Sequence, residues 1–391
     1  MRRSRLILAL VCSVFFSLSL PVRAADDPFA PIAPAMQAFV DQRQVSGIVT
    51  LVATKDKILH QTAVGTSDGK RKMQTDDLFW IASMSKPLTA VAAAMLVDDG
   101  KLKFDDRVDK YIPEFKDLHL TDGTPVARPI LVRDLLNHTA GLQYNYDVTQ
   151  PHWTLEQFVH QIASQPLNFQ PGTKWDYSNA GIDVVGYVVQ VAAGMPLDQF
   201  MQKRIFDPVG MKDTTFWVSP KDAQRYVHAY EVDPLTHRHI EVPFWGSYGT
   251  EITDRQRAPL GAAGIFSTAQ DLARFYQMLL NNGKVADQVL LQPPTLTQLI
   301  SNQIGTLSAG NGLSWGYGFA LVADPMGMAA DRMLAPGSYG HMGIFGTNSW
   351  ADPKRGAIYI LLMERANSDD YSNSPMRIEF QTLAAQALAA P

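Results

Sequence analysis

Two pairs of strand-like runs stand at opposite ends of this chain, and together they constrain its fold more than any other feature. Residues 47–53 and 58–64 are rich in apolar and β-branched side chains, with Asp56-Lys57 between them as a hairpin turn. Residues 346–351 and 357–363 form a second pair, joined by Asp352-Pro353-Lys354-Arg355-Gly356, which has the composition of a turn. A helix is expected on the outer side of each pair, over residues 31–42 and about 376–389. The simple architecture is an α/β fold: one antiparallel sheet built from the N- and C-terminal segments, flanked by helices, with a helical insertion between.

The intervening stretch, residues 104–261, is rich in proline and long connections. Residues 131–136, 155–162 and 183–193 are helix candidates, and 230–232 and 239–242 flank Asp233-Pro234-Leu235-Thr236 as a small hairpin. Residues 267–280 read as an amphipathic helix, capped by Ser267 or Thr268 and ended by Asn281-Asn282-Gly283. The expected division is a sheet domain from 25–103 and 262–391, with a mainly helical domain over 104–261. Neither repeats nor low-complexity segments are visible.

The N-terminus has the pattern of a removable signal peptide. Arg2, Arg3 and Arg5 precede an apolar run over 6–20, and Val22-Arg23-Ala24 offers small residues at cleavage spacing. The run is shorter than the roughly 20 residues that span a bilayer, so no stable membrane anchor is expected after cleavage. The one cysteine, Cys12, lies inside this segment behind Leu10-Val11, which does not suit a lipoprotein site. Cleavage after Ala24 leaves 391 − 24 = 367 residues, no cysteine, and 34 − 4 = 30 basic against 38 acidic residues. Disulfides and thiol chemistry are thereby excluded from the mature chain. A formal charge of 30 − 38 = −8 argues against nucleic acid, whose binding relies on a basic face. Oligomeric state is not legible.

Chemistry concentrates first in "IASMSKP", residues 81–87. Pro87 is tolerated only in the first turn of a helix. Leu88, Val91, Ala92, Met95 and Leu96 then follow helical spacing as one buried face, which Gly100 ends. Ser83 and Lys86 therefore lie three apart at a helix start, where residues so spaced are neighbours. The apolar approach Leu78-Phe79-Trp80-Ile81 would desolvate the lysine. The plainer reading is a serine helix cap beside a solvated lysine. Ser-x-x-Lys also occurs at Ser67-Asp68-Gly69-Lys70, in a turn with no helix behind it. Two further stretches bear on the choice: Tyr177-Ser178-Asn179 in a turn running into the helix from Asp183, and His341-Met342-Gly343 leading into a strand. The tyrosine triplet recurs at Tyr371-Ser372-Asn373, so the order and setting of all three motifs carry the argument.

With those stretches the chain resembles the serine β-lactamase and penicillin-binding protein superfamily. It is most similar to the branch holding class C β-lactamases, D-alanyl-D-alanine carboxypeptidases, D-amino-acid peptidases and β-lactamase-like carboxylesterases. "VRDLLNHTAGL", "IFDPVGMKDTTF" and "GAAGIFSTAQDLARFYQMLLNNG" extend the resemblance over nearly the whole mature chain. It implies a sheet domain and an all-helical domain with the site between them, in a bacterial periplasmic protein needing no cofactor or metal. It implies Ser83 as the acylated nucleophile, Lys86 and Tyr177 as the proton-transfer pair, and Asn179 orienting Lys86 or a substrate amide. His341 and Gly343 match the third motif on the sheet edge, and the N–H groups of Ser83 and Ile344 would form the oxyanion hole. The implied substrate is a β-lactam or a peptidoglycan-like D-amino-acid amide. A carboxylesterase, or a penicillin-binding sensor that acylates without turnover, are the alternatives.

These residue types suit acyl transfer. A serine hydroxyl needs a base to become nucleophilic. Free lysine and tyrosine titrate near about 10, too high for that work at pH 7. Burial would lower the lysine, and a charged Lys86 would lower Tyr177 by about three units at about 4 Å. The two protons are coupled, so both assignments stay open. His-Met-Gly departs from the Lys-Thr-Gly of class C enzymes. His341 could donate a hydrogen bond and become cationic at lower pH, Met342 lacks a hydroxyl, and Gly343 would let the strand approach the substrate. That departure bears on recognition of a substrate carboxylate. Among the rest, His138 reads as a structural loop histidine. Gln143 and Tyr144 are candidates to line the cleft. His237 and His239 belong to an exposed hairpin without a third metal ligand, and Met326 and Met328 to an apolar loop bordering the site or lying on the surface.

Overall fold

A computed structural model describes residues 27–243, 251–328, 332–367 and 374–389. The expected signal segment and Tyr371-Ser372-Asn373 lie outside the described residues.

Seven strands form the central sheet: β1 Gly47–Thr54, β2 Ile58–Gly65, β3 Leu313–Trp315, β4 Ala320–Val322, β5 Tyr339–Met342, β6 Asn348–Asp352 and β7 Ala357–Leu362. Their spatial order is β2-β1-β7-β6-β5-β4-β3, and every pairing is antiparallel. The two terminal strand pairs meet where Val49 faces Leu362 and Thr54 faces Ala357, so the sheet is built from both ends of the chain as expected.

Successive strand residues point to opposite faces, and both faces of this sheet are covered. Val49 and Leu51 of β1, with Ile358 and Ile360 of β7, join the larger core cluster. Ile48 and Val52, with Tyr359 and Leu361, join the smaller one. This double burial explains why β1 and β7 read as continuous apolar runs. The five longest helices are α1 Ile32–Asp41, α2 Ser85–Asp98, α3 Asn179–Ala193, α4 Ala269–Leu280 and α5 Pro375–Ala389. Helices α1 and α5 supply Met36 and Phe380 to the smaller cluster. Helices α2 and α4 supply Leu88 and Phe275 to the larger.

The expected single apolar face of α2 understates its burial. Every residue from Ser85 to Leu96 is buried, so α2 runs through the core and is covered on all sides. Helix α3 begins four residues before the expected Asp183, because the Ser178 hydroxyl accepts from Gly181 N–H and caps it there. The small hairpin forms from Ala229–Val232 and His239–Val242, and Thr268 caps α4. Among the described residues no single helix is long and apolar enough to cross a membrane.

His341 itself lies in a strand, and the turn after it leads into β6 as expected. β5 has four residues and stops at Met342, and the chain turns through Gly346, at φ 95°, before β6. β5 is also an interior strand. Its pairing with β4 reaches only Tyr339 and Gly340, whereas its pairing with β6 continues through His341 and Met342. The expected sheet edge is therefore local: the end of β5 outruns β4.

Candidate active site

Ser83 lies in a single 3-10 turn, Ala82–Met84, directly before α2. Neither Ser83 nor Ser85 caps that helix. The N-cap position is Met84, with no side-chain cap hydrogen bond, and Ser85 Oγ accepts from Ile265 N–H at 3.2 Å. Ala82 holds φ 45°, a left-handed conformation costly for a residue with a Cβ. It is held by Ile81, whose N–H donates to Ile265 O at 3.1 Å and whose carbonyl accepts from Met84 N–H at 3.0 Å.

Lys86 is fully buried. Its Nζ meets three acceptors: Ser83 Oγ at 2.9 Å, Asn179 Oδ1 at 2.7 Å and Ala262 O at 3.0 Å. Burial lowers its pKa to about 7, opposed by the charge of Asp183. A neutral amine has two N–H bonds and one lone pair. The amide and backbone carbonyl oxygens can only accept, so they take both N–H bonds and leave the lone pair for the Ser83 hydroxyl. Ser67-Lys70 contrasts with this arrangement. There Asp68 Oδ1 accepts from Lys70 N–H (2.8 Å) and Arg71 N–H (2.5 Å), making an ordinary turn with an exposed lysine.

The Tyr177 ring centroid is 4.8 Å from Lys86 Nζ. Burial pushes the phenol far above its usual range, partly offset by a hydrogen bond with Ser83. Tyr177 is therefore a neutral phenol at rest. His138 packs against it with centroids 4.6 Å apart, and its Nδ1 accepts from Ser178 N–H at 3.2 Å. His138 thus supports the tyrosine turn from beneath, and burial holds it neutral, well below the usual histidine range. Asn179 is engaged at both ends of its amide, since Nδ2 donates to Asn145 Oδ1 at 2.6 Å.

His341 is buried at the end of β5 and differs from expectation. Burial, reinforced by the Lys86 charge, lowers its pKa to about 3, so it is neutral and becomes cationic only in strong acid. Its Nδ1 lies 2.9 Å from Met342 N and 2.8 Å from Met342 O, and Nε2 has no hydrogen-bond partner. Gly343 also has a reason within the protein itself. A Cβ there would lie 2.8 Å from Ile81 O and 3.3 Å from Ala82 Cβ, so glycine brings this turn against the strained Ser83 turn. Met342 Sδ accepts from Arg377 of α5.

Ser83, Tyr177, Asn179, His341, Gly343 and Ile344 all line one cavity of about 390 Å³. Trp175, Trp315, Tyr144, Leu313 and Ala309 complete most of its wall, and Trp175 and Trp315 pack 5.2 Å apart. Among the described residues, no Lys, Arg, Asp or Glu side chain lines it. Tyr144 is part of the wall, but Gln143 is not; its amide donates to Pro166 O and Asn168 Oδ1 instead. Met326 is exposed and Met328 buried in the smaller core cluster, and neither borders the cavity. His237 lies in the hairpin turn at φ 52°, and among the described residues no cluster of three metal-ligating side chains occurs.

Several contributors were not legible in the sequence. Trp175 and Trp315 carried no motif. Asn145 follows the two residues singled out. Asp183, expected to begin a helix, is a buried carboxylate in the apolar run Ile182–Val185; a charge at that position, four residues after Asn179, is the signal the sequence offers.

The sequence profile of the family described as Beta-lactamase matches residues 32–382. The chain is 30% identical over 370 residues to Esterase EstB of Burkholderia gladioli, covering 86% of this chain and 91% of that protein. It is 28% identical over 401 residues to a putative D-alanyl-D-alanine carboxypeptidase of Salmonella typhimurium, covering 92% and 91%. Among solved structures, EstCE1, a hydrolase with promiscuous acyltransferase activity, superposes with a TM-score of 0.77 at 26% identity, covering 93% of this chain and 99% of that one.

Proposed function

The chain belongs to the β-lactamase family, and on that premise we propose that it hydrolyses neutral esters through an acyl-Ser83 intermediate. The observation that carries the substrate choice is the uncharged, aromatic wall of the cavity around Ser83. Such a wall favours apolar acyl groups and, among the described residues, offers no counter-charge for a substrate carboxylate.

Lys86 is the base, because its pKa of about 7 leaves a large neutral fraction whose lone pair meets Ser83. Ser83 Oγ attacks the ester carbonyl while its proton passes to Lys86 Nζ. The carbonyl oxygen becomes an oxyanion, received by the N–H groups of Ser83 and Ile344. Collapse expels the alkoxide, which takes a proton from Lys86 through the Tyr177 hydroxyl. Water then attacks the acyl-enzyme with Lys86 again as base, releasing the acid and restoring Ser83.

A β-lactam or D-amino-acid amide remains the second reading, favoured by the likeness to the Salmonella carboxypeptidase. Penicillins, cephalosporins and peptides ending in D-Ala-D-Ala carry a carboxylate, so the uncharged wall among the described residues ranks them after esters. We further place the mature protein in the periplasm, on the strength of its N-terminal pattern. The mature protein should be incubated with p-nitrophenyl butyrate, nitrocefin and a D-Ala-D-Ala peptide, with turnover and adduct mass followed together. Ester turnover that Ser83→Ala abolishes supports the proposal. Faster turnover of the lactam or peptide reverses the ranking, a stable adduct without turnover indicates a sensor, and full activity in Ser83→Ala refutes the mechanism. N-terminal sequencing of protein from a periplasmic fraction tests the location.

A further inference from the structure

The base of this mechanism has an anionic neighbour with no part in the steps above. Asp183 sits one helical turn after Asn179 on α3, so both project from one side of that helix. It is 2% exposed, among Ile182, Val184 and Val185. A carboxylate in such a place is costly unless its oxygens are satisfied. They are: Oδ1 accepts from Ala262 N–H and Oδ2 from the Tyr146 hydroxyl, each at 2.8 Å. Ala262 in turn gives its carbonyl to Lys86 at 3.0 Å. One residue of the loop before α4 is thus pinned between the carboxylate and the lysine.

We propose that Asp183 is a positioning residue for the acylation step: it fixes Ala262 so that the Ala262 carbonyl aims the Lys86 lone pair at Ser83, and it supplies the anion that stabilises Lys86 once the lysine has taken the serine proton. The inference rests on the acyl-Ser83 reading. No proton reaches Asp183 in this scheme. The Ser83 O–H bond breaks, the N–H bond forms on Lys86, and the carboxylate stays ionised.

Among the described residues, Asp183 is the anion whose charge acts on Lys86. Lys86 is faced by Ser83 from its own turn, by Tyr177 and Asn179 from the start of α3, by His138 from the loop before it, and by His341 from β5. The tyrosine and both histidines are uncharged near neutral pH. Burial raises Asp183 to about 6, against the hydrogen bonds from Ala262 and Tyr146 and the Lys86 charge, so it is largely ionised at pH 7 to 8. Its charge in turn raises the lysine against the larger effect of burial.

Asp183→Asn is the direct test, because an amide can still accept from Ala262 N–H and can donate to the Tyr146 oxygen. With p-nitrophenyl butyrate, the acid limb of kcat/KM should move to lower pH by about one unit, since a lysine without its anion titrates lower. The plateau kcat should fall about tenfold or more, as the base weakens, with KM little changed. Tyr146→Phe removes one hydrogen bond from the same carboxylate and should move the limb the same way by less. A purely structural role would lower the melting temperature and leave the limb in place, and that result in Asp183→Asn overturns the proposal. Should Asp183→Asn fail to fold, an unmoved limb in Tyr146→Phe overturns it instead. Persistent activity in Ser83→Ala is a separate outcome, which removes the acyl-serine reading itself.

Discussion

Gly343→Ala should separate activity from stability at this site. The added Cβ would lie 2.0 Å from Thr347 Oγ1 and 2.8 Å from Ile81 O. The first clash is soft: Thr347 can rotate its hydroxyl away, losing only a 3.5 Å contact with Ile81 O. The second is hard, because Ile81 O belongs to the backbone and accepts the Met84 N–H that closes the Ser83 turn. The two backbones must therefore part by about half an ångström to reach ordinary contact. Overpacking of this kind costs about 1–3 kcal/mol, a few degrees in Tm. The parting also separates the N–H groups of Ser83 and Ile344. Full loss of one oxyanion donor is worth about 3–4 kcal/mol, and a misplacement near 1 Å about a hundredfold in rate. A fall in kcat of about ten- to a hundredfold is expected, with KM moving much less. Steady-state kinetics and thermal denaturation measure both effects. Adding Thr347→Ala removes the soft clash only, so it should restore much of the stability and little of the rate. Unchanged kcat in Gly343→Ala, or kcat recovered in the double variant, would refute the idea that Gly343 sets the spacing of the two donors.

Other perturbations test neighbouring parts of the same argument. Lys86 has a folded pKa of about 7 against 10.5 for the free side chain, so its burial penalty is full below pH 7 and is relieved as pH rises from 7 to about 10.5. Lys86→Met should therefore raise Tm more at pH 6 than at pH 9 while abolishing acylation; equal gains at both would count against a lysine that folds neutral. His138→Phe keeps a ring against Tyr177 but strips Ser178 N–H of its acceptor. It should cost about 1–3 kcal/mol in denaturant unfolding and lower kcat. Trp315→Ala removes a buried wall of the cavity and should cost about 3–5 kcal/mol. It should also lower kcat/KM for phenylacetyl esters relative to acetyl esters, and a constant ratio would show that Trp315 does not contact the acyl group.

How far the sequence disclosed this molecule depended on the length of each signal. β1, β2 and β7 are runs of six to eight residues bounded by turn residues, long enough for composition to reveal them. β3, β4 and β5 have three or four residues and carry no readable period. Missing β5 left His341 on the approach to β6 without the strand that holds it. At the site, Ser83, Lys86 and Asn179 were legible because chemistry demands those side chains at local spacings. Ala262 was not, because it serves through its backbone, which any residue could supply. Trp175 and Trp315 were not, because they meet only when strand β3 is brought against the turn before α3.

The features that break local rules converge on one place. Lys86 is a lysine with no exposed surface, Ala82 sits at a φ of 45°, and Asp183 interrupts an apolar helix face. Each is unfavourable alone, and each is tolerated because another fixes its surroundings. The strained turn is closed by Ile81, which Gly343 allows the β5 end to abut. The buried lysine is satisfied by Asn179 and Ala262, and Ala262 is held by the buried carboxylate. A hydrophobic replacement at Lys86 would relieve a buried charge and make a worse catalyst, the usual opposition between stability and activity at a preorganised site. In a chain of this kind, a charged residue inside an apolar helical run is therefore better evidence of function than a helix boundary. Asp183 shows it most plainly: its charge marks the side of α3 that faces Ala262 and Lys86.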